Sequence, residues 1–357
     1  MVTLKQIAEK AGLSISTISH ILNRQSPRYN AQTRERVQKI AEAMGYIPNR
    51  YAQVIRRGRS GIIGMIQHAG LLQVAVLKSQ AAARAIVAAN YRLLAGDSEW
   101  SGSGIQTVCA TMLDLRVEGL ILIDPPASFP RDELDRFQKH RIPVVALGGV
   151  RIKGVPQIRV DAEKGMEMIV RHVAALGHRD LELVVPALPP RPSPAINWPT
   201  LERVAGFRRA ARQAGLTAAQ AKVTFFGAPN DIMSPYANGK AAMEQILARV
   251  ERPRAVLFCN DDWAIGALAA CAEAGVKVPD QIAITGFDNA PIGEYLPSPL
   301  TTVTQDFEGM AKAATDLLLE RIRERDWNLE APLIRVPGRL IVRRSCGAHA
   351  VSPSADS

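Results

Sequence analysis

Between Thr3 and Met44 the apolar positions fall at helical spacing. Leu4, Ile7, Ala8 and Ala11 share one face, Ile18, Ile21 and Leu22 a second stripe, and Val37, Ile40, Ala41 and Met44 a third. Each stripe is bracketed by start and stop signals. Thr3 and Gln6 have capping-box spacing, Ser14 and Asn30 are good N-caps, and Gly12 and Gly45 supply left-handed stops. Three short helices with a tight glycine turn between the first two predict a helix-turn-helix. A further piece follows Pro48, Asn49 to Arg57, which is too short to hold helical form alone and is expected to fold only against something else.

From Gly61 the period changes. Apolar runs of strand length, GIIGMI, GLILI, PVVAL, LELVV, AVLFC and IAITGF, alternate with amphipathic helical stretches. Continuous apolar strands separated by helices predict parallel sheet covered on both faces, and about 280 residues of it predict two α/β lobes around a cleft. Ligands in such folds lie beyond the carboxyl ends of the strands. After Arg344 the chain loses periodicity and is expected to be loose.

Charge sharpens this division. Residues 1–60 carry eleven basic against three acidic side chains, a net of +8 out of the chain's +10. A basic head on a nearly neutral body is the footprint of a polyanion partner. Other classes recede. No apolar run reaches membrane-spanning length, and MVTLKQIAEK lacks a secretory core, so a cytoplasmic protein with no membrane partner is expected. Cys109, Cys259, Cys271 and Cys346 lack the close spacing of a metal or disulfide framework. No nucleophile elbow, P-loop or zinc-protease motif occurs, Gly102-Ser103-Gly104 lacks the third glycine of a dinucleotide loop, and His172 and His178 do not share a helical face. No enzyme, metal or cofactor is expected.

The run TLKQIAEKAGLSISTISHILN, with TRERV, AEAMGYIPN and RGRSGIIG after it, resembles the lactose-repressor and galactose-repressor (LacI/GalR) family of transcription regulators. In the body, VDAEKG, HVAALGHRDL, ERVAGFRRAARQAGL, AVLFCNDDWAIGAL, VPDQIAITGFDN and SPLTTVTQD resemble that family's effector domain, so the likeness covers almost the whole chain. It implies a small all-α helix-turn-helix head (1–47), a hinge helix and linker (48–60), an α/β two-lobed body like the type I periplasmic binding proteins (61–345) and a flexible tail (346–357). It also implies a homodimer on a near-palindromic double-stranded operator, acting most often as a repressor under a small-molecule effector. No leucine heptad for a tetramer follows the body.

Carried over by position, the resemblance places Ile15, Ser16 and His20 at base edges. Thr17, Ser19, Asn23, Arg24, Asn49 and Arg56 approach the DNA backbone and its neighbourhood, and Ile55 is the minor-groove wedge. The family usually has arginine at His20, which can grip a guanine bidentately, and leucine at Ile55; the residues alone also allow His20 as a surface histidine with no base contact and Ile55 as a hinge-packing residue. In the cleft it implies ligand contacts from Arg203, Asn260 and Asp288, with Asp161 and Gln305 beside them. The residues alone allow plainer roles: Asp288 as a helix cap, Asn260 fixing its own turn, Arg203 paired with Glu202 or Asp288. The family's aromatic after the first body strand is absent from QHAGLLQVAV, and Trp198, in the proline-rich PALPPRPSPAINWPT, is a substitute stacking group. Two other functions stay open at this stage: a constitutive DNA binder with a vestigial ligand domain, and a solute-binding protein.

Overall fold

The structure is a computed structural model that describes residues 2–23, 29–46, 59–67, 73–99, 101–126, 128–188, 198–227, 235–324 and 331–348. Two compact units appear, Met1–Ser60 and Gly61–Ser357.

In the first unit, α1 (Leu4–Ala11), α2 (Ile15–Asn23) and α3 (Ala31–Ala43) enclose Ile7, Ala8, Ala11, Ile18, Ile21, Val37 and Ala41. Their ends form as the caps predict. Thr3 N–H donates to Gln6 Oε1 at 2.9 Å while Thr3 Oγ1 accepts from Gln6 N, and Gly12 closes α1 at φ 64°. Ser14 Oγ accepts from Thr17 N at 3.1 Å, and Asn30 Oδ1 from Thr33 N at 2.7 Å. The Arg36 guanidinium donates to the Ala11 carbonyl, tying α3 to the end of α1.

The second unit holds two parallel sheets. The six-stranded one runs β11-β5-β4-β3-β1-β2, from β1 (Ile62–Gln67), β2 (Arg92–Asp97), β3 (Gly119–Ile123), β4 (Val144–Leu147), β5 (Gln157–Val160) and β11 (Leu333–Val336). The four-stranded one runs β7-β6-β8-β9, from β6 (Leu181–Pro186), β7 (Ala221–Phe226), β8 (Ala255–Phe258) and β9 (Ala283–Thr285). A small antiparallel pair, β10 (Thr302–Thr304) and β12 (Arg339–Ile341), completes the strands. This is the expected α/β body of two lobes.

Period-two alternation divides the larger sheet's two faces. Ile121 and Ile123 of β3 join the extended core with Ala81, Ala82 and Ile86 of α4 (Gln73–Ala88) and Leu318 of α11 (Phe307–Glu324). Leu120 and Leu122 turn the other way, toward α5 (Gly102–Asp114) and α6 (Arg131–Lys139), where they meet Ile105, Met112 and Phe137. Around the smaller sheet, α7 (Ala162–Ala175) packs on α8 (Trp198–Gln213), and α9 (Pro235–Leu247) on α10 (Asp261–Glu273). The last pair approaches so closely that a Cβ at Gly239 would lie 2.0 Å from the Trp263 carbonyl oxygen.

The chain after Arg344 departs from expectation. Ser345 and Cys346 are fully buried, with Thr301 N donating to Ser345 Oγ at 2.8 Å and Ser345 Oγ to the Ile284 carbonyl at 2.6 Å. Small side chains here act as polar pegs, which an apolar-periodicity reading cannot register. His172 Nε2 lies 3.4 Å from Cys346 Sγ and His178 Nε2 3.0 Å from the Cys346 carbonyl oxygen, so two histidines that do not share a helical face both reach Cys346. Residues 349–357 of the expected tail lie outside the described residues. Among the described residues no helix is long and apolar enough to cross a membrane, and no His/Cys/Asp/Glu group is arranged to hold a metal. All four cysteines are free and buried.

Candidate functional site

In the head, α2 turns Ile18 and Ile21 inward and leaves Ile15, Ser16 and His20 exposed. Ile15 is 48 % exposed, an apolar side chain left at the surface of α2 beside Ser16. Ser14 Oγ lies 2.8 Å from Ser16 Oγ and 2.9 Å from Thr17 Oγ1, giving a hydroxyl cluster at the helix start. Ser19 differs from the expected phosphate contacts: beside the apolar stripe of Ile18 and Leu22 it is only 5 % exposed, so its hydroxyl is not free at the surface. Asn23 closes α2, but its side chain, together with Arg24, Asn49, Ile55 and Arg56, lies outside the described residues.

In the body, a cavity of about 380 Å³ opens where the strands of both sheets end. Its wall includes Asp124 after β3, Gly148 and Gly149 after β4, Arg159 and Val160 at the end of β5, Pro186 closing β6, Cys259 and Asn260 after β8, and Asp288 beyond β9. Helices contribute Lys78 from α4 and Glu202 and Arg203 from α8. The strand-end placement follows from the parallel architecture, in which connecting loops gather at one edge of each sheet.

Of the expected ligand residues, Arg203, Asn260, Asp288 and Gln305 come together on this wall. Asp288 is held at φ 118°, accepts from Gln305 Nε2 at 2.6 Å and lies 3.5 Å from Arg203 Nη2. Arg203 also covers the Phe287 ring at 4.3 Å. Burial pushes the Asp288 carboxyl up to about 6, against the opposing pull of Arg203 and of the Gln305 hydrogen bond. Asn260 does cap its own helix, its Oδ1 accepting from Trp263 N at 2.9 Å, and the residue also lines the cavity. Asp161 does not line the cavity. It caps α7 by accepting from Lys164 N at 3.1 Å and stands 3.8 Å from Arg335. Trp198 begins α8, with its side chain outside what is described, though Pro199 and Thr200 beside it reach the wall.

Four charged wall residues were not anticipated as ligand contacts. Lys78 Nζ lies 2.7 and 2.9 Å from the two carboxylate oxygens of Asp124. Arg159 Nη2 donates to Glu202 Oε1 at 2.5 Å, so Glu202 pairs with Arg159 rather than with Arg203. Arg159 is a lone arginine inside QIRV, a strand buried at every position, and its polar sequence carried no signal of that burial. One step behind the wall, Asp261 accepts from Thr302 Oγ1 and Ala290 N, both at 2.6 Å, and burial with the nearby Asp288 raises its carboxyl to about 7.

The arrangement offers ionic and hydrogen-bonding groups on largely buried side chains. That suits it to holding a small polar molecule.

Residues 3–49 match the lacI family of bacterial regulatory proteins, and residues 170–346 match the periplasmic binding protein-like domain. Over 349 residues the chain is 29% identical to the HTH-type transcriptional repressor PurR of Erwinia tasmaniensis, covering 97% of both chains. Among solved structures it superimposes on the lac repressor dimer bound to operator and the anti-inducer ONPF with a TM-score of 0.79. Identity there is 25%, over 97% of this chain and 99% of that one. The transcriptional regulator CelR in complex with cellobiose shares the fold at a TM-score of 0.66 and 23% identity, over 97% of this chain and 100% of its own.

Proposed function

The chain belongs to the LacI family of bacterial regulatory proteins, and from that premise we propose that it is a DNA-binding transcriptional repressor whose operator affinity is set by a small molecule held in the body cleft. The observation that carries the reading is the cavity at the strand ends, walled by Arg203, Asn260, Asp288 and Gln305, in a chain that also has a helix-turn-helix head with an exposed Ile15–Ser16–His20 face. The head sets it apart from a solute-binding protein. The buried ionic wall favours a working ligand site over a vestigial one, since such groups are costly to keep without use.

In this reading the protein acts in the cytoplasm as a homodimer, as the lac repressor does in the operator complex, and reads a near-palindromic site. Control is linkage: an effector that prefers one arrangement of the lobes shifts operator affinity by its differential affinity for the two states. Ile15, Ser16 and His20 contact bases, and Thr17, Asn23, Arg24, Asn49 and Arg56 hold the DNA backbone. Ile55 opens the minor groove from the hinge. We assign no catalytic role.

The test is to select operator DNA from a random pool and to measure its binding with and without molecules that raise the protein's melting temperature. Effector-dependent affinity is expected. Unchanged affinity with every stabilising molecule would mean a constitutive DNA binder. Ile55→Gly should weaken operator binding far more than binding to random DNA, and equal loss on both would remove the wedge.

A further inference from the structure

Arg159 is the unexpected feature of the cleft. It is 5 % exposed, and its guanidinium makes one strong contact, to Glu202 Oε1. Its Nε and Nη1 have no hydrogen-bond partner among the described residues, and neither do Arg203 Nε or Glu202 Oε2. Three of these four buried atoms are donors on cations, and all four belong to residues of the cavity wall.

Neighbouring carboxylates do not balance them. Glu202 Oε1 also lies 2.8 Å from Arg335 Nη2, and Arg335 lies directly opposite Arg159 in the β5–β11 register, so one carboxylate serves two guanidiniums. Asp161, the other acid near Arg335, is occupied capping α7. Arg335 and Arg151 both add positive field at Arg159. Among the charges that act on one another around Arg159, three arginines (Arg159, Arg335, Arg151) stand against two carboxylates (Glu202, Asp161), and of these only Arg159 and Glu202 line the cavity, while Lys78–Asp124 and Arg203–Asp288 are balanced pairs.

We infer that the effector is a small polyhydroxylated monocarboxylate, a sugar acid in class, whose carboxylate rests on the Arg159 guanidinium and Arg203 Nε. A carboxylate matches a single excess positive charge and the planar donors of arginine. A phosphate dianion would bring a second negative charge beside Glu202 and Asp288. The hydroxyls have partners in Glu202 Oε2 and in the spare amide valences of Asn260 and Gln305. The inference rests on the reading of this cleft as the effector site.

The experiment uses the full chain and matched probes in a thermal-shift titration at constant ionic strength: glucuronate against glucose, galacturonate against galactose, glycolate against ethylene glycol, with glucose 6-phosphate as a separate arm. The carboxylates should raise the melting temperature at concentrations at least about tenfold lower than their neutral counterparts. Arg159→Gln should weaken that response about ten- to hundredfold, while the exposed Arg84→Gln leaves it intact. Because Arg335 still neutralises Glu202, Arg159→Gln strands no buried carboxylate. Neutral sugars stabilising as well as their acids would overturn the anionic class and leave the cleft assignment standing, and so would stabilisation by glucose 6-phosphate alone. No response to any carboxylate would also overturn the class. Carboxylate stabilisation undiminished in both Arg159→Gln and Arg203→Gln would place the anion elsewhere and remove the cleft reading itself.

Discussion

In the head, Ile15, Ser16 and His20 stand exposed on a helix whose other side buries Ile18 and Ile21, whereas in the body Arg159, Arg203, Glu202 and Asp288 are all at most 9 % exposed. The difference follows from the size of what each would hold. A duplex is larger than the head and must be met at its surface, so a small apolar core need only keep α2 straight. A metabolite is smaller than the cleft and can be enclosed, and there buried charges are held by counter-charges, Lys78 by Asp124 and Arg203 by Asp288, apart from the excess at Arg159. Stability in the head is therefore packing, and in the cleft it is the pairing of buried charges.

That contrast can be broken most forcefully at Arg203. Arg203→Met leaves Asp288 buried without its cation and should cost the body about 3–5 kcal/mol in urea unfolding. The head's own transition should not move, and an unchanged body midpoint would show that the pair carries no balance. Ile18→Ala is the converse, a cavity in the head's small core costing about 2–5 kcal/mol. Operator binding should vanish in a filter or anisotropy assay while thermal shifts by cleft ligands persist; retained operator binding would mean the head tolerates loose packing.

Acidity separates the regions more gently. Asp261 and Asp288 have carboxyls raised in the folded body to about 7 and about 6 from 3.8. The native state thus holds their protons more tightly than the unfolded chain does. Their contribution is fully present below the unfolded value and is lost as pH rises through the folded ones. From about pH 4, Asp288 should lower body stability until about pH 6 and Asp261 until about pH 7, each by up to about 1.4 kcal/mol per pH unit, and Asp261→Asn should flatten the upper part of that slope in pH-dependent denaturation. The smallest effect belongs to a surface cap: Thr3→Ala should destabilise the head by about 1 kcal/mol, visible as a lower head midpoint with the body untouched.

The same contrast decides what could be read before the structure. The caps Thr3, Ser14 and Asn30 and the interior strands β3, β6 and β8 are local signals, and they stand where the pattern of residues put them. Strands β2 and β7 were missed because they lie at sheet edges with alternating partial exposure, and β11 because Arg335 interrupts it. β5 was missed for a different reason, since Gln157 and Arg159 make a fully buried strand look polar. In the cleft, Arg203, Asn260, Asp288 and Gln305 came from family likeness rather than from any periodicity. The pairs Lys78–Asp124 and Arg159–Glu202 join positions 46 and 43 residues apart, so only the path of the chain could bring them together.

The β5–β11 pairing also orders events during synthesis. Gln157 waits for Leu333, and the smaller sheet waits for Ser345 to reach Ile284. At a ribosome's roughly 5–20 residues per second, the first of these waits is on the order of ten to thirty seconds. The head, with its core complete by Ala41, needs no later residue for its own packing. A nascent chain thus carries a finished reader while the edge of β5 is still open to wrong partners, and a ribosome stalled before Leu333 would leave a DNA-binding fragment with no means of being switched.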